Sequence, residues 1–251
     1  MSWDVVRYQP VSLFSLRPAS STASGGKSLL TPTAFAIKMA LLNASIQMAG
    51  VAEGEARFPL IRDLRLSIAL PTNIVLIQSF AKILREVEFK GKAVEKDAWL
   101  NGQIEKGQYP FGSSIAYREF VQFNGSLQIA ATSPDGSSPR WLAETLLAVN
   151  YFGKRGSFFQ PLGLADRRET LPDTFTEITH DSTAYAIDGT LVMLDDCSST
   201  MTFAHANIYE GGKSIRLGKE RLLRHVVLPY RLAQSSHGYS RYQYTGTGSE
   251  A

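Results

Sequence analysis

The sequence predicts an α+β fold, and three observations support that prediction. Several short segments rich in Val, Ile, Phe and Tyr alternate apolar with polar residues, which is typical of strands. Two longer segments, 33–49 and 139–152, have the apolar pattern of packed helices. Hydrophobic residues make up 44% of the chain and charged residues 20%, close to the average of soluble globular proteins, so a sizeable core is expected. No internal repeat or linker divides the 251 residues into two independent cores.

The first half of the chain contains three strand candidates. Residues 3–16 alternate loosely and predict the first strand, and residues 18–26 predict a flexible loop of Ser, Ala, Thr and Gly. Residues 65–70 predict a second strand that ends at a proline. Residues 73–89 fit a helical stripe over much of their length, but their first residues also suit a strand, so both interpretations stay open.

The first helix has a recognisable beginning and end. Thr31 is its expected N-cap, and Pro32 takes the first helical position, where a missing N–H costs nothing. The helix then covers 33–49 and ends at Gly50. Because it is apolar almost all round, we expect it to be buried, with its one charge, Lys38, pointing out through a narrow polar stripe.

The dipeptide Asn124-Gly125 predicts a β-hairpin. It separates two apolar segments, 115–123 and 126–132, and Asn-Gly is the preferred sequence of a type I′ turn. We therefore expect the two segments to be strands that pair with each other.

The second half predicts one amphipathic helix followed by strands. The inward-facing residues of helix 139–152 are expected to be Trp141, Leu142, Leu146, Val149 and Phe152. A glycine-rich loop at 153–163 follows, and residues 175–244 alternate as short strands. Turns are predicted at Asp188-Gly189 and Gly211-Gly212. The small, polar tail 245–251 is expected to be disordered.

Charge is segregated along the chain, although the net charge is only +3. Residues 213–231 carry six Lys or Arg and one acid, Glu220, whereas residues 166–196 carry eight Asp or Glu and two Arg. This pattern predicts one face for a polyanion and another for solvent or a protein neighbour. The single cysteine, Cys197, cannot form an internal disulfide, and neither a secretory signal nor a membrane span is evident, so we expect a cytoplasmic protein without membrane association.

Three kinds of catalytic or metal site fit the sequence poorly. Gly25-Gly26-Lys27-Ser28 resembles the end of a phosphate-binding P-loop, but Ser21 stands where its first glycine belongs and the helix begins too late. The four histidines lack metal-ligand spacing, and no Gly-x-Ser-x-Gly motif is present. A metal-independent ribonuclease using Tyr117, His225 or a lysine stays open as an alternative, and a P-loop-type nucleotide hydrolase is a weaker one. No metal or cofactor is predicted.

The recurring pattern is glycine and a basic residue beside an aromatic. In the loop Gly153-Lys154-Arg155-Gly156-Ser157, small residues let a phosphate approach the backbone while Lys154 and Arg155 neutralise it. Flanking rings could stack on unpaired bases, at about 1–3 kcal/mol per base, although Phe152 is expected to lie in the core. Further expected phosphate contacts are Arg17, Lys27, Lys38 and Arg118. Stacking candidates in the long connection 90–113 are Trp99, Tyr109 and Phe111.

In order along the chain, these motifs resemble the Cas-five family of the RAMP superfamily, which caps the guide-RNA 5′ handle in type I CRISPR surveillance complexes (Cascade). The motifs are Phe14-Ser15-Leu16-Arg17, Gly25-Gly26-Lys27-Ser28-Leu29-Leu30-Thr31-Pro32-Thr33, Ala116-Tyr117-Arg118-Glu119-Phe120, Asn150-Tyr151-Phe152-Gly153-Lys154-Arg155-Gly156-Ser157 and Val226-Val227-Leu228-Pro229-Tyr230-Arg231. Together they span most of residues 3–244, and the ordered set carries the resemblance rather than any one motif.

The resemblance implies a modified ferredoxin-like (RRM- or RAMP-type) domain over 1–165, with an inserted thumb at about 90–113. A smaller β-rich part would cover 166–244. It also implies a non-catalytic role in binding the guide RNA, with the backbone and large subunits as partners and target DNA contacted indirectly. The acidic stretch 166–196 would be one of the protein-facing surfaces.

The resemblance adds Gly25, Gly26, Lys27 and Ser28 to the expected RNA contacts. Some members cleave precursor RNA with a tyrosine, lysine and histidine set. This chain has no Lys-His dipeptide, which argues against that activity here.

Overall fold

A computed structural model describes residues 1–19, 26–154, 156–210 and 213–246, and these residues form an α+β fold. The strands are β1 (Trp3–Pro10), β2 (Arg65–Ala69), β3 (Asn73–Glu86), β4 (Phe111–Asn124), β5 (Leu127–Thr132), β6 (Phe159–Arg168), β7 (Thr176–Glu177), β8 (Thr190–Cys197), β9 (Arg221–Leu228), β10 (Tyr230–Ser235) and β11 (Tyr239–Tyr244). The α-helices are α1 (Ala34–Ala49), α2 (Val51–Asp63), α3 (Lys96–Glu105), α4 (Arg140–Ala148) and α5 (Phe203–Ala206).

The larger sheet has the strand order β6-β1-β5-β2-β7, and every neighbouring pair is antiparallel. Its strands share one hydrophobic core with α1 and α4. Fully buried members of that core include Tyr8 of β1, Ile129 of β5, Leu41 of α1 and Leu146 of α4. The Tyr8 hydroxyl donates a hydrogen bond of 2.6 Å to the Leu146 carbonyl oxygen, which ties α4 to the sheet.

The smaller sheet has the order β10-β11-β3-β4, and β8 and β9 form a separate antiparallel ribbon. β3 and β4 pair along their whole length, from Asn73 opposite Asn124 to Glu86 opposite Phe111. The ambiguity over 73–89 is therefore resolved in favour of a strand. Residues of the β3 base and of the β8–β9 ribbon, such as Leu76 and Val226, enter the same core as the larger sheet.

The Asn124-Gly125 hairpin is a wrong prediction. β4 pairs with β3, whereas β5 lies between β1 and β2 and has no free edge for a third partner. Gly125 has a φ of +132°, so it supplies an unusual backbone angle, but at a crossing from one sheet to the other. The Asn-Gly sequence therefore correctly predicts that the chain changes direction, but the strands on either side of it do not pair with each other.

The cap of the first helix was also predicted wrongly. The N-cap is Thr33, whose side chain accepts a hydrogen bond of 3.1 Å from the Ala36 N–H. Thr31 is buried two residues earlier, and its hydroxyl donates to the Pro32 carbonyl oxygen. The helix ends at Gly50 as expected, and α2 follows at once, although the sequence did not predict α2.

The C-terminal third completes sheets that the N-terminal part begins. β11 pairs with β3, β7 pairs with β2, and the expected boundary at residue 165 falls inside β6. Helix α4 is shorter than 139–152, but Leu142, Leu146 and the residues that follow it, Val149 and Phe152, are buried as predicted.

Two further predictions concern the chain between the sheets. The turn at Asp188-Gly189 is present, since the Gly189 N–H donates to the Ala186 carbonyl oxygen, while Gly211-Gly212 and 247–251 lie outside the described residues.

No helix in the described part of the chain is long and apolar enough to cross a membrane.

Candidate nucleic-acid interface

A cleft of about 960 Å³ lies where the segment 15–17 after β1, the start of α1, the β3–β4 hairpin and the loop after α4 meet. Its lining residues are Ser15, Leu16, Arg17, Gly26, Lys27, Leu29, Thr33, Phe35, Ala36, Met39, Arg85, Ile115, Tyr117, Arg118, Gly153, Lys154, Asp195 and Arg221. Residues far apart in the sequence therefore share one concave surface, which is the usual shape of a binding site.

Backbone hydrogen bonds fix the two segments that form the floor of the cleft. Phe14, just before the cleft, exchanges backbone hydrogen bonds with Val121 of β4, at 3.2 and 2.7 Å. The Leu29 N–H then donates to the Leu16 carbonyl oxygen at 2.7 Å, and the Leu16 N–H donates to the Ser28 hydroxyl at 2.9 Å. Arg17 and Lys27 are consequently held side by side at the ends of two joined segments.

Gly26 is required by its close approach to β4. Its carbonyl oxygen accepts the Glu119 N–H at 2.8 Å, and a Cβ at this position would lie 2.1 Å from the Tyr117 carbonyl oxygen. Gly153 is required by its backbone, with a φ of +70°, and a Cβ there would meet a Leu16 methyl group at 2.9 Å. Both glycines bring a loop against the cleft wall where any side chain would push it away.

Positive charge dominates the described residues of the cleft. Its cations are Arg17, Lys27, Arg85, Arg118, Lys154 and Arg221, and its one carboxylate is that of Asp195. Arg221 compensates this carboxylate at 2.5 Å and lies over the Phe35 ring, 4.3 Å from the centroid. Within the described residues, Lys27, Arg118 and Lys154 are exposed and make no ion pair, so their charge is available to an anion. The first turn of α1 adds the positive end of its dipole.

The β3–β4 hairpin brings exposed rings to the cleft. Phe80 and Tyr117 face each other across the two strands, with ring centroids 4.1 Å apart, and are 59% and 56% exposed. On the same face toward the hairpin tip, Leu84, Ile115 and Phe111 are also exposed. An exposed aromatic next to unpaired cations is the combination that grooves for single-stranded nucleic acid use.

The structure brings together Arg17, Gly26, Lys27, Arg118 and Lys154 of the predicted RNA contacts. Gly156 is exposed with a φ of +101° but does not line the cleft. Gly25 and Arg155 lie outside the described residues.

The predicted stacking residues of 90–113 lie at the tip of the β3–β4 hairpin. The Trp99 ring packs against Phe89, with centroids 5.2 Å apart, whereas Tyr109 and Phe111 are exposed. Phe111 lies six residues along β4 from Tyr117. At about 3.3 Å per residue this is about 20 Å, so these rings do not belong to the cleft itself.

Three predicted RNA contacts have side chains that are buried and bonded inside the protein. Lys38 is 2% exposed, and its Nζ lies 2.6 Å from Asp196 Oδ1, so it faces β8 rather than solvent. The Ser28 hydroxyl is buried and bonds to the Leu16 and Leu29 backbone. Ser157 is buried in the turn that its N–H closes with the Lys154 carbonyl oxygen.

The geometry around Ser28 also differs from that of a P-loop in two respects. The Ser28 N–H donates to the Glu119 carboxylate at 2.7 Å, and the helix begins only at Ala34. In the described residues, no group of three or more His, Cys, Asp or Glu side chains could hold a metal ion.

Sequence reasoning missed Arg85, Ile115 and Phe35 as cleft residues and named Arg221 only as part of a basic run. The cluster of cations in that run could have pointed to Arg221. No sequence pattern points to Arg85, because it lines the cleft only through the pairing of β3 with β4.

The acidic stretch 166–196 is not a continuous acidic surface. Most of its carboxylates are paired within the chain: Asp166 with Arg168, Glu177 with Arg65, Asp181 with Arg224, Asp195 with Arg221 and Asp196 with Lys38. The negative charge of the stretch 166–196 is therefore largely compensated in the fold.

No family model matches the sequence, and no curated protein matches it either. Among solved structures, the chain is similar to a CRISPR protein from Archaeoglobus fulgidus, at 10% identity and a TM-score of 0.47, over 98% of this chain and 93% of that one. It is also similar to a chain of a CRISPR RNA-guided surveillance complex, at 14% identity and a TM-score of 0.45, over 89% of this chain and 88% of that one. Likenesses at this level do not identify the function, which is therefore argued from the cleft.

Proposed function

We propose that this chain is a non-catalytic, Cas-five-type subunit of a CRISPR surveillance complex, and that its cleft holds the 5′ handle of the guide RNA. One observation carries the proposal. Arg17, Lys27, Arg118 and Lys154, which come from four separate segments, converge on one cleft beside two glycines whose loops lie against its wall. A cleft of exposed cations, with a single carboxylate that is already paired, suits a phosphate backbone.

The topology supports the ferredoxin-like part of the proposal. The β1, α1, β2, β5, α4 and β6 elements follow one another as β-α-β-β-α-β, and the four strands lie in the order β6-β1-β5-β2. The β3–β4 hairpin is inserted between β2 and β5, and residues 90–113 at its tip suit an inserted thumb. We expect the subunit to act in the cytoplasm, to cap the filament of backbone subunits, to contact the large subunit and to reach target DNA indirectly.

The proposal is tested by removing three cleft charges at once. The triple variant Lys27→Ala, Arg118→Ala, Lys154→Ala should bind single-stranded RNA more weakly than the wild type. The slope of log K against log salt is negative, and each lost phosphate contact makes it less steep by about 0.7, so we expect its magnitude to fall by about 2. A matched control, Arg140→Ala, Arg168→Ala, Arg231→Ala, removes equal charge from residues outside the cleft. Equal affinities and slopes for both triples would refute the assignment of the cleft.

One observation favours a second candidate, a metal-independent endoribonuclease. Tyr117 and Lys27 line the cleft together, and a tyrosine and a lysine can serve as acid and base near a 2′-hydroxyl. None of the lining residues is a histidine, and His225 instead contacts Asp181, at 3.5 Å. Incubation with a hairpin precursor RNA in the presence of chelator distinguishes the two. A discrete cut that Tyr117→Phe abolishes would replace the binding-only proposal.

A further inference from the structure

A second basic pocket, of about 690 Å³, lies beside the cleft and is used by none of the roles discussed above. Its lining residues are Thr200, Thr202, His205, Lys213, Ser214, Arg216, Lys219 and Glu220. Three of them are cations from the start of the basic run 213–231. The pocket therefore gives a location to a charge pattern that the cleft only partly explains.

The one carboxylate of this pocket is already engaged by the protein. Glu220 is buried and accepts the Arg216 N–H at 3.0 Å, and the charged nitrogens of Arg216 and Lys219 lie 3.7 Å from it. The Arg216 and Lys219 side chains are nevertheless 64% and 59% exposed. Lys213 makes no ion pair within the described residues. Three cations facing one buried acid leave the pocket positive.

The uncharged groups of the pocket supply further hydrogen-bond donors. The His205 Nδ1 accepts the Thr202 N–H at 3.0 Å, so the neutral ring carries its proton on Nε2. Thr200 fixes the basic loop, because its hydroxyl donates to the Lys219 carbonyl oxygen at 3.1 Å. Ammonium, guanidinium and imidazole N–H groups, with the Ser214 hydroxyl, together match phosphate oxygens.

A single tight turn joins this pocket to the cleft. The Gly218 N–H donates to the Arg221 carbonyl oxygen at 2.7 Å, and the Lys219 and Arg221 N–H groups donate to the Arg216 carbonyl oxygen at 3.2 Å. Arg216 and Lys219 line the second pocket, whereas Arg221 lines the cleft. Lys219 and Arg221 are separated by one residue, so their Cα atoms are about 7 Å apart at most.

We propose that the turn 216–221 carries the RNA backbone out of the cleft and into the second pocket. The bound strand is then longer than the cleft, and its outer phosphates contact Lys213, Arg216 and Lys219. This inference rests on the proposed function, because it takes the cleft to hold RNA. Continuity between the two basic surfaces across a single turn favours one strand over two separate ligands.

The test is the dependence of affinity on RNA length. Fluorescence anisotropy is measured with single-stranded RNAs of about 4 and about 16 nucleotides, which bracket the site sizes of grooves for single strands. The variant Lys213→Ala, Arg216→Ala, Lys219→Ala should bind the short RNA as the wild type does. It should bind the long RNA on the order of tenfold more weakly, since three exposed contacts contribute about 1.4 kcal/mol together. Lys213→Glu alone, which breaks no internal ion pair in the described residues, should show the same length dependence.

The outcomes separate the two proposals. Wild-type affinity of the pocket variants for both RNAs overturns the extended path and leaves the cleft assignment intact. A loss of affinity that is equal for the short and the long RNA also overturns the extended path. Unchanged binding of the short RNA by Lys27→Ala, Arg118→Ala, Lys154→Ala instead overturns the proposed function. Thermal unfolding of each variant confirms that the loss is not one of folding.

Discussion

The buried ion pair between Lys38 and Asp196 gives the sharpest prediction, because the sequence and the structure disagree about Lys38. The side chains are 2% and 4% exposed, and the charged atoms lie 2.6 Å apart. Lys38→Met leaves the Asp196 carboxylate buried without its main partner, although Arg224 Nε lies 3.9 Å from its other oxygen. Removing one partner of such a pair costs about 3–5 kcal/mol.

For a chain of 251 residues, this cost lowers the melting temperature by about 6–20 °C, at about 2–4 °C per kcal/mol. Burial already raises the pKa of the Asp196 carboxyl, against the pull of Lys38, and the substitution should raise it further. A raised pKa in the folded state favours the fold at low pH, so the deficit should shrink as the pH falls.

The assays are thermal unfolding and RNA binding on the same preparations. We expect Lys38→Met to lose stability and, at a temperature where it is folded, to bind RNA as the wild type does. Lys82→Met, at an exposed residue of β3, is the matched control and should change stability by less than about 0.5 kcal/mol. If Lys38→Met keeps the wild-type melting temperature but binds RNA more weakly, the prediction is refuted. The Lys38 side chain would then contact RNA and would not be buried against Asp196.

Three further predictions test other features. Gly26→Ala should destabilise the fold by about 1–3 kcal/mol and weaken RNA binding, because the added Cβ would meet a β4 carbonyl oxygen at 2.1 Å. Gly102→Ala, with open space around the added Cβ, should be tolerated, and chemical denaturation compares the two variants. Cys197 should react with a thiol reagent at pH 8 only after denaturation, because burial raises the pKa of its thiol to about 12; rapid labelling of the native protein would contradict its placement. Glu177→Gln should destabilise the protein at neutral pH, with the difference vanishing in acid. Burial would raise the pKa of Glu177, but the hydrogen bonds and charges of Arg65 and His180 together outweigh burial and hold the pKa below its usual range. The stabilisation therefore exists above the unfolded-state pKa and is lost as the pH falls, and a pH-independent difference would refute this.

Much of the candidate site could be predicted from short motifs. The glycine-and-lysine pairs at 26–27 and 153–154 were recognisable because a glycine beside an exposed cation marks a backbone that a phosphate can approach, and both pairs line the cleft. Arg17 and Arg118 were predicted as further phosphate contacts and lie in motifs that carry the resemblance. These residues act through their own side chains and local backbone, which is the information that a sequence holds directly.

What the sequence by itself determined is three elements: the strand that begins at Arg65, the buried helix that ends at Gly50, and the packed face of α4. The strand and α4 follow from periods of two and of 3.6 residues, which fix the side chains that share a face, whereas the first helix follows from apolar residues on nearly every side. The tertiary structure alone decided what covers each face. It placed β4 beside β3 instead of β5, and it turned Lys38 toward Asp196, 158 residues away. It also added Arg85 and Arg221 to the cleft, because strand pairing and burial depend on contacts between distant residues that no local pattern encodes.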